Sequence, residues 1–226
     1  MNRILTSLLI PPALILTTVW AMLHPWFFTF EYNTPGFPDD PYGLTKAERL
    51  HWARYAVDYL RNDADISYLA DLRFPEGQQA PLLSCMHMDD CTRLYNAREL
   101  QHMVDVKNVV RGALRVWQVS LLSLLVLGVW AWRGGRLDEF RLAAARGGWW
   151  TAGFAAFIIL FVLVGFGVIF VWFHEIFFSS GTWLFYYSDT LIRLFPERFW
   201  RDAFLLVAGI PALAGLLLWR VAKLAR

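Results

Sequence analysis

Residues 149–174 read WWTAGFAAFIILFVLVGFGVIFVWFH, which is 25 positions without a charged side chain closed by His174. A helix rises ~1.5 Å per residue, so such a run is long enough to cross the ~30 Å hydrocarbon core of a bilayer. That reading sets the fold class: an all-α integral membrane protein. Outward from it, three more segments reach roughly 20 residues each: 4–30, 113–132 and 203–219. The second carries Arg115 and Gln118 near its start, and the last contains Pro211. Membrane helices tolerate proline where neighbours satisfy the freed carbonyl.

The composition agrees. Of 226 residues, 57% are hydrophobic and 17% aromatic, with 12 Trp and 18 Phe, more apolar material than soluble domains carry. Indole rings suit the bilayer interface as well as a core. A net charge of +2 gives no sign of a nucleic-acid partner. Two cysteines are too few for a disulfide framework and lack a four-ligand zinc spacing. The expectation is a single membrane domain over 1–226 with one large extramembrane insert.

The first span also resembles a signal peptide, with Arg3 ahead of an apolar stretch. No small-x-small cleavage site follows, and the apolar character continues through Trp26, Phe27 and Phe28. An uncleaved helix over 4–30, kinked at Pro11 and Pro12, is expected. Short-loop charge sets the orientation. Arg133, Arg136, Arg141 and Arg146 connect the second and third spans, Arg3 precedes the first, and Arg220, Lys223 and Arg226 follow the fourth. These fall on one side, the cytoplasmic one. The insert 31–112 and the loop 174–202 are then extracytoplasmic, in a mainly helical and irregular cap.

Within the insert, 31–42 is rich in turn residues. Thr45 and Glu48 match a capping box, and Leu50, Ala53, Val57 and Leu60 follow at helical spacing, predicting an amphipathic helix over 46–61. Residues 71–90 contain Pro75, Gly77 and Pro81 and read as irregular. Cys85 and Cys91 lie on the side where disulfides persist, so a bridge there would staple a loop. His24, His51 and His87 read as surface residues.

His102 precedes the second span and His174 follows the third. Because consecutive spans run in opposite directions, both imidazoles belong to the same face. Glu99 and Asp105 stand at i−3 and i+3 from His102, near one helical face. A carboxylate beside an imidazole fixes its tautomer and raises its basicity, as a general base needs. Asn96 and Glu99 form a second capping pattern, introducing a helix that bears His102. On a straight helix His102 stands ~16 Å above Ala113, so the rings meet only if 103–110 is partly sunk or Gly112 breaks the helix; the former is expected. The loop beyond His174 holds Trp183, Phe185, Ile192, Phe195 and Phe199 as a possible interfacial lid, with Asp189 and Arg193 spaced as an internal ion pair. No nucleophile-elbow, Ser-x-x-Lys, His-Glu-x-x-His or phosphate-cradling pattern occurs. Acid–base work on a substrate carrying its own nucleophile is left.

The strings Glu99-Leu100-x-His102-Met103-x-Asp105-Val106-Lys107, Phe173-His174-x-x-Phe177, and Trp183-x-Phe185 followed by Asp189, Leu191-Ile192 and Phe195-Pro196 resemble the lipoprotein intramolecular transacylase (Lit) family along essentially the whole chain. The resemblance implies a bacterial membrane enzyme at the outer face of the cytoplasmic membrane. It moves the sn-2 acyl chain of a lipoprotein's diacylglyceryl-cysteine to the α-amino group of the same cysteine. By the matched motifs His102 and His174 carry over as the catalytic pair, with Glu99, Asp105, Lys107 and Asp189 in support; Lys107 would add positive charge near an oxyanion. No cofactor and no metal are implied; the partners are diacylated lipoproteins and membrane lipid. Two other readings stand beside it: a metal-dependent membrane hydrolase using His102, His174 and Asp105, and a non-enzymatic protein holding a lipoprotein or other partner on the Leu50/Val57 face.

Overall fold

Pro25 divides the first apolar run, so 4–30 is not the single helix expected. The computed structural model, which describes residues 3–179 and 181–224, has α1 at Arg3–Met22 and α2 at Pro25–Glu31. Proline pushes the residue before it out of the helical region, and His24 is extended at φ −107°, ψ 155°. Pro25 itself suits the first position of α2, where no N–H is needed. The chain continues with α3 (Lys46–Arg61), α4 (Ser67–Ala70), α5 (Leu82–Cys85), α6 (Ala97–Arg133), α7 (Leu137–Phe177), α8 (Thr190–Leu194) and α9 (Glu197–Leu224). Among the described residues there is no strand, only an isolated bridge between Arg73 and Arg93. Arg226, expected among the cytoplasmic charges, lies outside the described residues.

Among the described residues, four helices are long and apolar enough to cross a membrane: α1, α6, α7 and α9. Their outward faces are apolar; Val164 is 82% exposed and Leu163 68%, a surface suited to lipid and not to water. Helix α6 passes through Gly112 without a break, so that route for bringing His102 toward His174 is not the one taken. Helix α7 has a non-helical residue instead, Gly165 at φ −157°, ψ 61°.

The chain divides into two units, Met1–Ala21 with Arg111–Phe166 and Asp202–Arg226, and Met22–Val110 with Gly167–Arg201. In the first, small residues let helices approach closely, which is how membrane helices gain van der Waals contact. A Cβ on Gly148 would lie 2.5 Å from the Gly215 carbonyl oxygen, and one on Gly147 2.5 Å from the Ser7 carbonyl oxygen. Ser7 is also the residue whose carbonyl Pro11 deprives of its intrahelical donor. Its hydroxyl reaches across to the Ala143 carbonyl at 2.8 Å. Gly148→Leu must push backbones apart and is expected to destabilise the protein by about 1–3 kcal/mol, read as a lowered unfolding midpoint in detergent.

In the second unit α3 packs against α2, α4 and α8. Its boundaries are those the capping box predicts. Thr45 accepts from the Glu48 N–H while Glu48 accepts from the Thr45 N–H. Ala53 and Val57 are buried as expected, and so is Arg49, which a hydrophobic pattern does not foresee. Arg49 Nε donates to the Arg193 carbonyl at 2.9 Å and Nη1 to the Pro38 carbonyl at 2.7 Å, with its guanidinium 4.8 Å over the Tyr32 ring. The Tyr32 hydroxyl donates to the Leu194 carbonyl; burial pushes its pKa up to about 12, so it stays a donor.

The expected Asp189–Arg193 ion pair does not form. Arg193 Nη2 is 2.9 Å from Asp40, with both side chains almost fully buried. Burial alone would raise the Asp40 pKa, but the Arg193 guanidinium hydrogen-bonded to it holds its carboxyl below the usual value near 3.8. A depressed carboxyl pKa stabilises the fold above the unfolded pKa, and that contribution is lost as pH falls through the folded value. Stability should therefore decline on acidification below about pH 4, and Asp40→Asn should flatten that decline in a pH series of denaturant midpoints.

Candidate active site

His102 and His174 come together. On α6 and α7 respectively, their rings are nearly parallel (19°) with centroids 5.9 Å apart. Both are buried. Aromatic rings from the following loop enclose them: Phe178 lies 4.8 Å and Phe185 5.3 Å from His102, while Trp183 lies 4.9 Å from His174. Phe170, one turn before His174, is 4.1 Å from it.

The two imidazoles differ in their bonding. His174 Nδ1 is 2.7 Å from the Phe170 carbonyl oxygen. A carbonyl only accepts, so Nδ1 carries the proton and the neutral ring keeps its lone pair on Nε2. Such a histidine can accept a proton at Nε2 and share the resulting charge with the carbonyl. His102 Nδ1 is buried and has no hydrogen-bond partner among the described residues.

Glu99 is placed to build the site and not to touch the ring. Its carboxylate accepts from the Asn96 N–H at 2.9 Å and the Leu191 N–H at 2.6 Å. Asn96 Oδ1 accepts in return from the Glu99 N–H at 3.0 Å. One carboxylate thus caps α6 and also satisfies a free N–H in the first turn of α8. This locks the start of the His102 helix to the loop that carries the aromatic enclosure.

Asp189, fully buried, is the other anchor. One oxygen accepts from Ser84 Oγ at 2.8 Å and Asn96 Nδ2 at 3.1 Å; the other accepts from Arg98 Nη2 at 3.1 Å and the Tyr186 N–H at 2.9 Å. Ser84 is also 2.8 Å from the Ser188 hydroxyl; with its one proton given to Asp189, Ser84 accepts from Ser188. Arg98 then lies over Tyr186 and Phe185, at 5.1 and 5.9 Å. Cys85 and Cys91 are disulfide-bonded, which pins the short α5 segment holding Ser84. His87 stacks on Tyr186 at 5.1 Å.

Two other expected residues stand elsewhere. Asp105 accepts from Gln101 at 3.1 Å. Lys107 Nζ donates to the Ala64 carbonyl at 2.6 Å beyond the end of α3 and sits 3.8 Å over the Tyr59 ring. These contacts make Lys107 a tie between α6 and α3. Arg98, Asn96 and Ser84 belong to the site framework although the sequence singled out none of them as functional. The available signal was the Asn96–Glu99 capping pattern, which already placed Asn96 and Arg98 at the helix start.

Known proteins resemble this chain in sequence and in fold. The family model for the lipoprotein intramolecular transacylase Lit matches residues 4–200. An uncharacterized protein of Aquifex aeolicus (strain VF5) is 30% identical over 195 residues, which cover 84% of this chain and 79% of its own length. The structure of the membrane-integral lipoprotein intramolecular transacylase Lit from Bacillus cereus is similar with a TM-score of 0.76 at 20% identity, covering 98% of this chain and 93% of that one. A variant of the Bacillus cereus protein with one histidine replaced by alanine gives a TM-score of 0.70 at 19% identity, over 98% and 90% of the two chains. At these identities the structural likeness speaks for the fold, and the family match covers most of the chain. This chain belongs to the lipoprotein intramolecular transacylase family of bacterial membrane enzymes.

Proposed function

We propose that this chain moves the sn-2 acyl chain of a lipoprotein's diacylglyceryl-cysteine to the α-amino group of the same cysteine, with His102 and His174 as its catalytic residues. The observation that carries the proposal is the buried imidazole pair, in which the Phe170 carbonyl fixes the His174 proton on Nδ1 and frees Nε2 as a base. An α-amine with a pKa of ~7.7–8.0 keeps a neutral fraction at neutral pH, and that form is the nucleophile; a positioned neutral imidazole takes its proton as the new bond forms. The amine is tethered close to the ester, so positioning supplies much of the rate.

In this reading His174 Nε2 takes a proton as the amine nitrogen bonds to the ester carbonyl carbon. The carbonyl electron pair moves onto oxygen, returns as the glyceryl C–O bond breaks, and the departing oxygen takes the proton back from His174. His102 orients the amine through a ring nitrogen. Glu99 and Asp189 hold the framework, and Lys107 ties α6 to the end of α3 further along. The exposed apolar helices, with Arg133, Arg136, Arg141 and Arg146 together on one connection, support cytoplasmic termini and a site on the outer face.

The rival metal-dependent hydrolase requires a carboxylate ligand beside the two rings. Among the described residues no group of three His, Cys, Asp or Glu side chains is arranged to hold a metal ion, and Asp105 is engaged by Gln101. Expression in a bacterium, followed by mass analysis of a lipoprotein's N-terminal peptide, tests the proposal. An N-acylated, lyso-glyceryl product is expected only when the chain is present. An unchanged diacylglyceryl peptide would reject the proposal.

A further inference from the structure

Trp183 carries its one polar group, the indole N–H, buried and without a hydrogen-bond partner among the described residues. An indole N–H donates and never accepts. A buried donor left unpaired is rare in a native protein and calls for a physical reason. Here the ring lies 4.9 Å from His174, in the cluster where His102 Nδ1 is also unpaired. A donor and an imidazole without partners, around one stacked histidine pair, are what a site shows before the oxygen it serves arrives.

We infer that Trp183 is a third catalytic residue, whose Nε1–H donates to the ester carbonyl oxygen as that oxygen becomes an oxyanion. The inference rests on the acyl-transfer reading above. As the amine nitrogen bonds to the carbonyl carbon, the C=O electron pair moves to oxygen and the amine proton goes to His174 Nε2. The oxyanion accepts the Trp183 hydrogen bond until its electron pair returns and the C–O bond to glycerol breaks, the glyceryl oxygen taking the proton from His174. A donor fixed in a water-poor site acts where charge develops and needs no reorganisation as it does so. Neighbouring Phe185 and Phe178 have no such group, and the hydrogen bond of His174 Nδ1 is already spent on Phe170.

Trp183→Phe in the full-length chain removes the donor and keeps an aromatic ring. Losing one oxyanion donor costs about 10²–10³-fold in kcat, with KM nearly unchanged because the bond is made in the transition state. Two non-reacting lipopeptides separate this from a packing role. One carries a tetrahedral phosphonate in place of the sn-2 ester; the other carries an ether there. Trp183→Phe should weaken phosphonate binding by about the same factor as kcat/KM and leave ether binding within about threefold. Equal weakening of both ligands, or transfer within about threefold of wild type, overturns the inference. His174→Ala run in parallel keeps the two readings apart: if it is inactive while Trp183→Phe is fully active, only the Trp183 role fails, and if both remain active the acyl-transfer site itself is misassigned.

Discussion

His174→Ala is expected to lower acyl transfer by about 10²–10⁴-fold, the usual contribution of a positioned acid–base group. The lost group is specific. Nδ1 is committed to the Phe170 carbonyl at 2.7 Å, so Nε2 is the nitrogen free to move protons. His174→Asn sharpens the test, because its amide can keep a donor for the Phe170 carbonyl without supplying a base. It should be nearly as inactive as alanine while its unfolding midpoint stays closer to wild type. His102→Ala should also lose most activity, since the two rings lie 5.9 Å apart in one aromatic enclosure. Turnover assays on a diacylglyceryl lipopeptide in detergent or proteoliposomes would check all three. Full activity in either alanine variant would remove that histidine from the mechanism.

Asp189→Ala is expected to cost about 3 kcal/mol of stability and most of the activity. Its carboxylate serves four donors, from Ser84, Asn96, Arg98 and the Tyr186 backbone. Removing one partner of a buried polar network leaves the others desolvated and unpaired, and that penalty exceeds the worth of any single bond. Arg98 softens the loss because its side chain is 34% exposed and water can reach it. Asp189→Asn keeps an acceptor oxygen for part of the network and should recover part of the stability. Denaturant unfolding of the two variants gives the comparison. A midpoint for Asp189→Ala equal to wild type would show that the network does not hold the loop.

Much of this was legible in the residues. The charge-free run 149–173 dictated a membrane helix, and the Thr45/Glu48 pattern set the start of α3 correctly. Opposed spans predicted His102 and His174 on one face, and the structure brings the two rings into stacking contact. The misses came from side chains that choose partners far away in sequence. Asp189 and Arg193 stand one turn apart, the spacing of a helical pair, yet Asp189 is the residue preceding α8 and Arg193 turns to Asp40, 153 residues distant. Glu99, spaced to meet His102, instead accepts from the Leu191 N–H, 92 residues away. Arg49, which the apolar spacing of α3 leaves out, is buried with its guanidinium over the Tyr32 and Phe37 rings. Local periodicity reports neighbours on one helix; it carries no information about which loop will cover them. Pro25 is different, a local signal: it starts α2 and holds His24 extended although the residues around it are apolar.

In the proposed reaction the acyl chain moves within one molecule, because amine and ester are tethered. Purified protein given an equal mixture of two lipopeptides, one with a heavy peptide and heavy sn-2 chain and the other wholly light, tests it directly by mass spectrometry of the products. Transfer within one molecule puts heavy acyl on the nitrogen of heavy peptide and light on light, each with a lyso-glyceryl group. Heavy acyl on light peptide, or release of the chain as free fatty acid, would contradict it.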